Sequence, residues 1–200
     1  MYEWRRMTEE ERAQAMEVRR FRHYPKHSPP HWDLAGEHQY LITAACYEHA
    51  SIIGKHTERM TDCEEKVLET CRKHASEIYA WCILPNHYHV LFGTGRIGDL
   101  RKGLGKFHGR SSFAWNGEDG KRGRQVWYNC FERALKSERH LWASLNYVHH
   151  NPVHHCYAKQ WQDWPWSSAT DFLARVGRER AAEIWKAYPI KDYGQKWDIY

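Results

Sequence analysis

From Gln39 to Asn151 short apolar runs alternate with amphipathic stretches, and turn residues separate them. Gln39–Tyr47 (QYLITAACY) reads as a strand. Thr61–His74 sets Val67, Leu68 and Cys71 on one face at helical spacing, so a helix is expected, with Thr61 and Glu64 as a capping box. Glu77–Leu84 is a second strand, Pro85-Asn86 a turn, and His87–Phe92 a third strand antiparallel to the second. Gly98–Trp115 is helical but interrupted by glycines, and Asn116–Gly123 is a polar loop. Gln125–Leu135 gives a fourth strand and Ser137–Asn151 a helix, and beyond Trp161 the pattern is aromatic and less regular. The order β-α-β-β-α-β-α predicts an α+β fold, with helices packed on an antiparallel sheet.

Ahead of this core, residues 1–22 read as a charged helix, and Tyr24–Pro30 holds three prolines and reads as a linker. The expected organisation is therefore a charged extension with a proline-rich linker (1–36), one domain (37–172) and a tail (173–200).

Composition narrows the class. At 200 residues and 42% hydrophobic, the chain can bury one core. No run approaches the ~18 apolar residues of a membrane span, and the Arg- and Glu-rich N-terminus has no apolar core of a signal peptide, so no membrane partner is expected. The six cysteines form no CxxC pair, which argues against a zinc ribbon and fits a reduced cytoplasm. Cys46 and Cys82 lie in apolar runs and read as small core residues. Eleven Trp, twelve Tyr and a net charge of +5 permit a polyanionic partner without demanding one.

Three groups of residues carry candidate chemistry. In the strand His87–Phe92, alternation turns Tyr88, Val90 and Phe92 to one face and His87 and His89 to the other. Two imidazoles at i and i+2 can reach one metal ion; a solvated sheet face that carries two histidines is the plain alternative. In Ser137–Pro152 the stripe Leu141, Trp142, Leu145, Val148 should face the core. Tyr147 lies off it and shares a face with Asn151, although Pro152 disfavours helical angles at Asn151. That pair reads either as a nucleophile beside a metal ligand or as a half-buried tyrosine at a helix end. The third group is basic: Arg96, Arg101, Lys102, Lys106, Arg110, Lys121, Arg122 and Arg124 outnumber Asp99, Glu118 and Asp119, with Phe107, His108, Phe113 and Trp115 interleaved. Cations among aromatics suit single-stranded nucleic acid, and a solvated basic face is equally compatible. His149-His150 and His154-His155 could bind metal, but adjacent pairs splay apart on a helix, so most of them read as surface or phosphate-contacting.

Together these segments resemble a known family. LPNHYHVLF is similar to the His-hydrophobic-His strand of HUH-type single-strand nucleases. LNYVHHNPV followed by DWPWSS resembles the tyrosine helix and the next segment of IS200-like transposases, closest to the REP-associated tyrosine branch. The resemblance runs from about Gln39 to Ser168. It implies a ferredoxin- or RRM-like HUH core, a divalent metal (Mg²⁺ or Mn²⁺) on His87 and His89, Tyr147 as nucleophile, and Asn151 as a third ligand. Tyr157 lies off the motif, and Tyr88 is taken as packed.

The implied activity is metal-dependent cleavage and rejoining of single-stranded, hairpin-forming repeat DNA through a 5′-phosphotyrosine, in the service of DNA transposition. Arg96, Arg101, Lys102, Lys106, Arg110, Arg122 and Arg124 are the expected DNA contacts. The alternative is a non-catalytic nucleic-acid-binding module on the same fold; a structural zinc protein fits least. Nothing in the sequence chooses between monomer and dimer.

Overall fold

The computed structural model describes residues 7–21, 36–191 and 193. Two units divide the chain, residues 1–33 and 34–200. In the first, α1 spans Glu9–Phe21. Its start is a capping box: Glu11 N donates to Thr8 Oγ1 at 3.2 Å and Thr8 N to Glu11 Oε2 at 2.7 Å. The expected linker, Tyr24–Pro30, lies outside the described residues.

The second unit runs β1 (His38–Cys46), α2 (Thr57–His74), β2 (Glu77–Ile83), β3 (His87–Thr94), α3 (Ile97–Glu118), β4 (Trp127–Ala134), α4 (Glu138–His154), α5 (Ala169–Val176) and α6 (Arg178–Ala187). One four-stranded sheet has the order β2-β3-β1-β4, every pairing antiparallel. Two split β-α-β units give this order, the ferredoxin-like arrangement expected from the element pattern. β3 is central, and all eight of its residues are buried.

Alternation along the strands sorts two cores. Tyr40, Ile42, Ala44, Tyr88, Val90 and Phe92 pack against α2 and α3 on one face. Leu41, Ala80, Cys82 and Leu91 meet α4, α5 and α6 on the other. Cys46 and Cys82 are fully buried core residues, as their apolar surroundings suggest.

Four local expectations change. α2 begins at Thr57, so Thr61 caps nothing; its hydroxyl donates back to the Thr57 carbonyl at 3.3 Å. The earlier start buries Arg59 and Met60. The glycines of α3 do not break it. Gly103 lets the helix approach α2 so closely that a Cβ there would lie 2.8 Å from Thr70 Cγ2. α4 passes through Pro152 to His154, so the proline lies inside its closing turns. The segment after Trp161 is regular: α5 and α6 lie there, and Ala181, Ile184, Tyr188 and Tyr193 join the core of Leu41 and Tyr147.

The Trp164–Ser168 stretch runs along the outer edge of β2. Ile83 N donates to the Trp166 carbonyl at 2.8 Å, and Ser168 N to the Trp81 carbonyl at 3.1 Å. His149 Nε2 sits 2.9 Å from Ser168 Oγ, so the WPWSS motif ties α4 to the sheet edge. Its role here is structural: it satisfies an edge strand that would otherwise stay open.

Candidate active site

β3 brings His87 and His89 to the face that α4 covers, opposite Tyr88, Val90 and Phe92. Their rings stand edge-on, centroids 4.9 Å apart. Both are buried, so they are not a solvated sheet face. Two oxygens orient them. Asn86 Nδ2 donates to the His49 carbonyl at 3.2 Å, which turns Asn86 Oδ1 toward His87 Nδ1 at 2.7 Å. Thr43, directly across the ladder from His89, places its hydroxyl 2.7 Å from His89 Nδ1. Both imidazoles thus have Nδ1 held by a side-chain oxygen, which orients the ring and leaves Nε2 facing α4.

α4 supplies the rest. Asn151 Oδ1 lies 3.0 Å from His87 Nε2, and Asn151 Nδ2 is buried without a hydrogen-bond partner. Burial pushes the His87 imidazole well below its ordinary pKa, and His89 and His155 push in the same direction. A neutral imidazole has one N–H. With that proton on Nδ1 toward Asn86, the Nε2 lone pair faces the lone pairs of Asn151 Oδ1. His87, His89 and Asn151 would together hold a divalent cation, whose charge would relieve that repulsion, so the donor set fits a divalent metal.

Tyr147, one helical turn before Asn151, sets its ring edge-on to His89 with centroids 5.1 Å apart. Helix α4 therefore does bring Tyr147 and Asn151 to one face. The expectation that Tyr147 lies outside the buried stripe fails. It is 4% exposed, in the same core as Leu145 and Val148, with the Tyr193 ring 5.7 Å away. The sheet on one side and α5 and α6 on the other bury far more of α4 than a single apolar stripe.

Residues 36–151 match the family described as Transposase IS200 like, a span that contains His87, His89, Tyr147 and Asn151. The chain belongs to the IS200-like transposase family. Among curated relatives it is similar to a Haemophilus influenzae protein named as a candidate REP-associated tyrosine transposase, 28% identical over 66% of this chain and 80% of that protein. It is also similar to the REP-associated tyrosine transposase of Escherichia coli K12, 28% identical over 54% of this chain and 64% of that protein. A solved REP-associated tyrosine transposase bound to a REP hairpin shares the fold, with TM-score 0.53 and 20% identity over 72% of this chain and 84% of that one.

In this member of the family the basic segment sits apart from the tyrosine. α3 packs on the sheet face opposite α4, through Leu100, Leu104 and Phe107. Of the interleaved aromatics, Phe107 and Trp115 are core and His108 stacks on Trp127 at 4.3 Å; Phe113 alone of the four is broadly exposed, at 72%.

The cations divide as well. Arg124 is spent internally, 2.8 Å from Asp119 and hydrogen-bonded to Asn116. Arg122 lies over the Phe113 ring at 4.4 Å and donates to its carbonyl. Arg96 and Lys102 face Asp99, and Arg101 faces Glu132 at 3.5 Å. Lys106 and Arg110 are exposed and make no ion pair among the described residues.

Two residues at the site escaped sequence reading. His155, in a pair weighed as a metal ligand but read as surface or phosphate-contacting, sets its ring 5.0 Å from that of His87. Arg133 stands on β4 opposite Leu41, on the same sheet face as His89, and interacts electrostatically with Tyr193 and Tyr147. Period-two counting of β4 against β1 would have found Arg133; the adjacent His154-His155 pair is the signal for His155, weakened because neighbouring side chains splay apart on a helix.

Proposed function

We propose that this chain is a metal-dependent endonuclease and strand transferase for single-stranded, hairpin-forming repeat DNA, acting through a 5′-phosphotyrosine on Tyr147. The observation that carries the reading is the convergence of Tyr147 on His89 and of Asn151 on His87, from one helix onto one strand. Two relatives named as REP-associated tyrosine transposases, and a neighbour of the same fold bound to a REP hairpin, support hairpin DNA as the substrate class.

His87, His89 and Asn151 would hold the cation, Mg²⁺ or Mn²⁺. When bound, it neutralises charge on the scissile phosphate and orients that group. The chain's own residues do the rest. Asn86 Oδ1, an acceptor, favours the His87 tautomer with its proton on Nδ1, and Thr43 orients the His89 ring. α4 fixes the Tyr147 ring, and the Arg133 guanidinium favours the phenolate over the phenol. The phenolic oxygen attacks phosphorus; the bond from phosphorus to the 3′ oxygen breaks. The leaving oxygen takes up one proton for the one the phenol gives up. A phosphodiester replaces a phosphodiester, so another 3′-OH can reverse the step without ATP.

The test uses end-labelled hairpin oligonucleotides with Mg²⁺ or Mn²⁺. Wild type should cut and trap a covalent adduct that mass spectrometry assigns to Tyr147. Tyr147→Phe should bind DNA yet neither cut nor attach, and Tyr157→Phe should stay active. Cutting without an adduct would replace this mechanism by metal-activated water.

A further inference from the structure

His149, His150, His154 and His155 crowd the end of α4, and the helix sorts them. His155 continues the row of Tyr147 and Asn151 and meets His87. His149 is buried, with its Nε2 2.9 Å from Ser168 Oγ. His150 and His154 remain. They stand four residues apart in the next row, His150 half-buried and His154 exposed. Adjacent side chains splay apart on a helix, but residues at i and i+4 lie one above the other.

Two contacts locate this pair. The His154 imidazole acts electrostatically on that of His150, and the Trp185 ring lies 5.1 Å from His150. No third histidine, cysteine or carboxylate makes a ligand group with them among the described residues, so the pair is a two-imidazole chelate with open positions for water. Lys159 and Lys186 line the same recess as His150 and oppose a cation held by charge alone. What remains is the affinity of imidazole nitrogen for late first-row ions; Mg²⁺ prefers oxygen ligands.

Pro152 gives such a site a task. It has no N–H, so α4 lacks the backbone bond from residue 152 to the Val148 carbonyl. An ion on His150 and His154 spans that turn through side chains. Just beyond it, His155 N and Cys156 N close the helix on the Asn151 and Val153 carbonyls, each at 3.0 Å.

We propose that His150 and His154 form a second cation site, for a late first-row divalent ion such as Zn²⁺ or Cu²⁺, and that the bound ion clips the proline turn of α4. The site uses no residue of the cleavage mechanism and stands independently of the DNA reading.

The experiment titrates full-length protein with Cu²⁺, which quenches a nearby indole. Trp185 is the reporter, so the signal is the quenching that Trp185→Phe removes. His154→Ala, at an exposed position, should weaken Cu²⁺ binding about tenfold or more, and His154→Cys, a ligand at the same spacing, should restore it. His87→Ala, with its fold checked by circular dichroism, should keep the signal and its affinity. Excess Mg²⁺ should not displace Cu²⁺. Hydrogen exchange across residues 149–158 should slow with Zn²⁺ in wild type and not in His154→Ala. Quenching at Trp185 that ignores His154, or that is lost with His87 in a folded protein, overturns the site. Zn²⁺ binding that leaves exchange in this segment unchanged overturns the clip.

Discussion

Asn151 Oδ1 lies 3.0 Å from His87 Nε2, and this contact joins residues 64 positions apart on α4 and β3. Asn86 holds the other ring nitrogen at 2.7 Å, so His87 is fixed between two amide oxygens. Only one of those oxygens can accept its single proton. A divalent cation held at this site would relieve the unmatched lone pairs of the second oxygen and the ring.

That relationship predicts how Asn151 variants respond to metal. Asn151→Ala should raise the Mn²⁺ concentration needed for half-maximal thermal stabilisation by about 10- to 100-fold, the scale seen when a ligand or its support is lost. Asn151→Asp should keep or improve affinity, because a carboxylate is a harder donor. Differential scanning fluorimetry across a Mn²⁺ series reads both. An unliganded wild type whose melting temperature ignores Mn²⁺ and Mg²⁺ would show that the cluster is a satisfied core.

The histidine strand was legible because strand alternation has period two: once β3 is placed, His87 and His89 must oppose Tyr88 and Val90. α4 was less so. Helical periodicity finds one apolar stripe, but α4 is covered from two sides, so Tyr147 is buried with Leu145 and Val148. The proline rule suggested an end at Asn151, yet the helix carries Pro152 in its closing turns. The basic segment misled for another reason. Arg124 and Asp119 are neighbours in sequence, but Asp119 also pairs with Arg59, 60 residues away, and no local pattern announces such a contact.

That long-range cluster sets a stability prediction. Asp119 has a 2% exposed side chain and meets Arg59, Lys55 and Arg124, which hold its carboxyl well below the usual range. Arg59 is equally hidden, at 3%. Asp119→Ala would leave that buried guanidinium with Glu118 as its only ion-pair partner, beside the Ile52 carbonyl, and should destabilise the fold by about 3 kcal/mol. Urea denaturation at pH 7 measures it. A change under about 1 kcal/mol would mean that water replaces the carboxylate.

His108 gives a pH dependence. Burial pushes its imidazole down to about 4, while its Nε2 sits 2.9 Å from the Tyr88 hydroxyl. In the unfolded chain it titrates near 6.5. As pH falls below that value the unfolded state takes up a proton that the folded state refuses, so stability declines until about pH 4. Between pH 7 and pH 5 the loss from this one residue is about 2 kcal/mol. His149, pushed down to about 3 by burial, acts in the same direction. The informative quantity is therefore the difference between wild type and His108→Gln. The variant should lose less stability than wild type over that range; parallel pH curves would mean that His108 is protonated in the native state.

The last prediction separates DNA contacts from structural cations. Lys102, Lys106 and Arg110 recur every four residues along α3, and Phe113 follows them, so together they form one outward stripe. Lys102 has an 80% exposed side chain and only a distant carboxylate at 3.9 Å, whereas Arg124 is committed to Asp119 and Asn116. If the stripe contacts single-stranded phosphates, each contact adds about 0.7 to the steepness of the log–log salt dependence. Replacing all three with Glu should then flatten the slope by about 2 and weaken binding. Arg124→Gln should leave the slope alone and lower stability instead. Because α3 and α4 occupy opposite sheet faces, a strand that touches both the stripe and Tyr147 must pass around an edge of the sheet. Short oligonucleotides that reach only the tyrosine should therefore show no response to the triple variant, while longer hairpins should. A slope unchanged for every length would make the stripe a solvated face, with the phosphate contacts elsewhere.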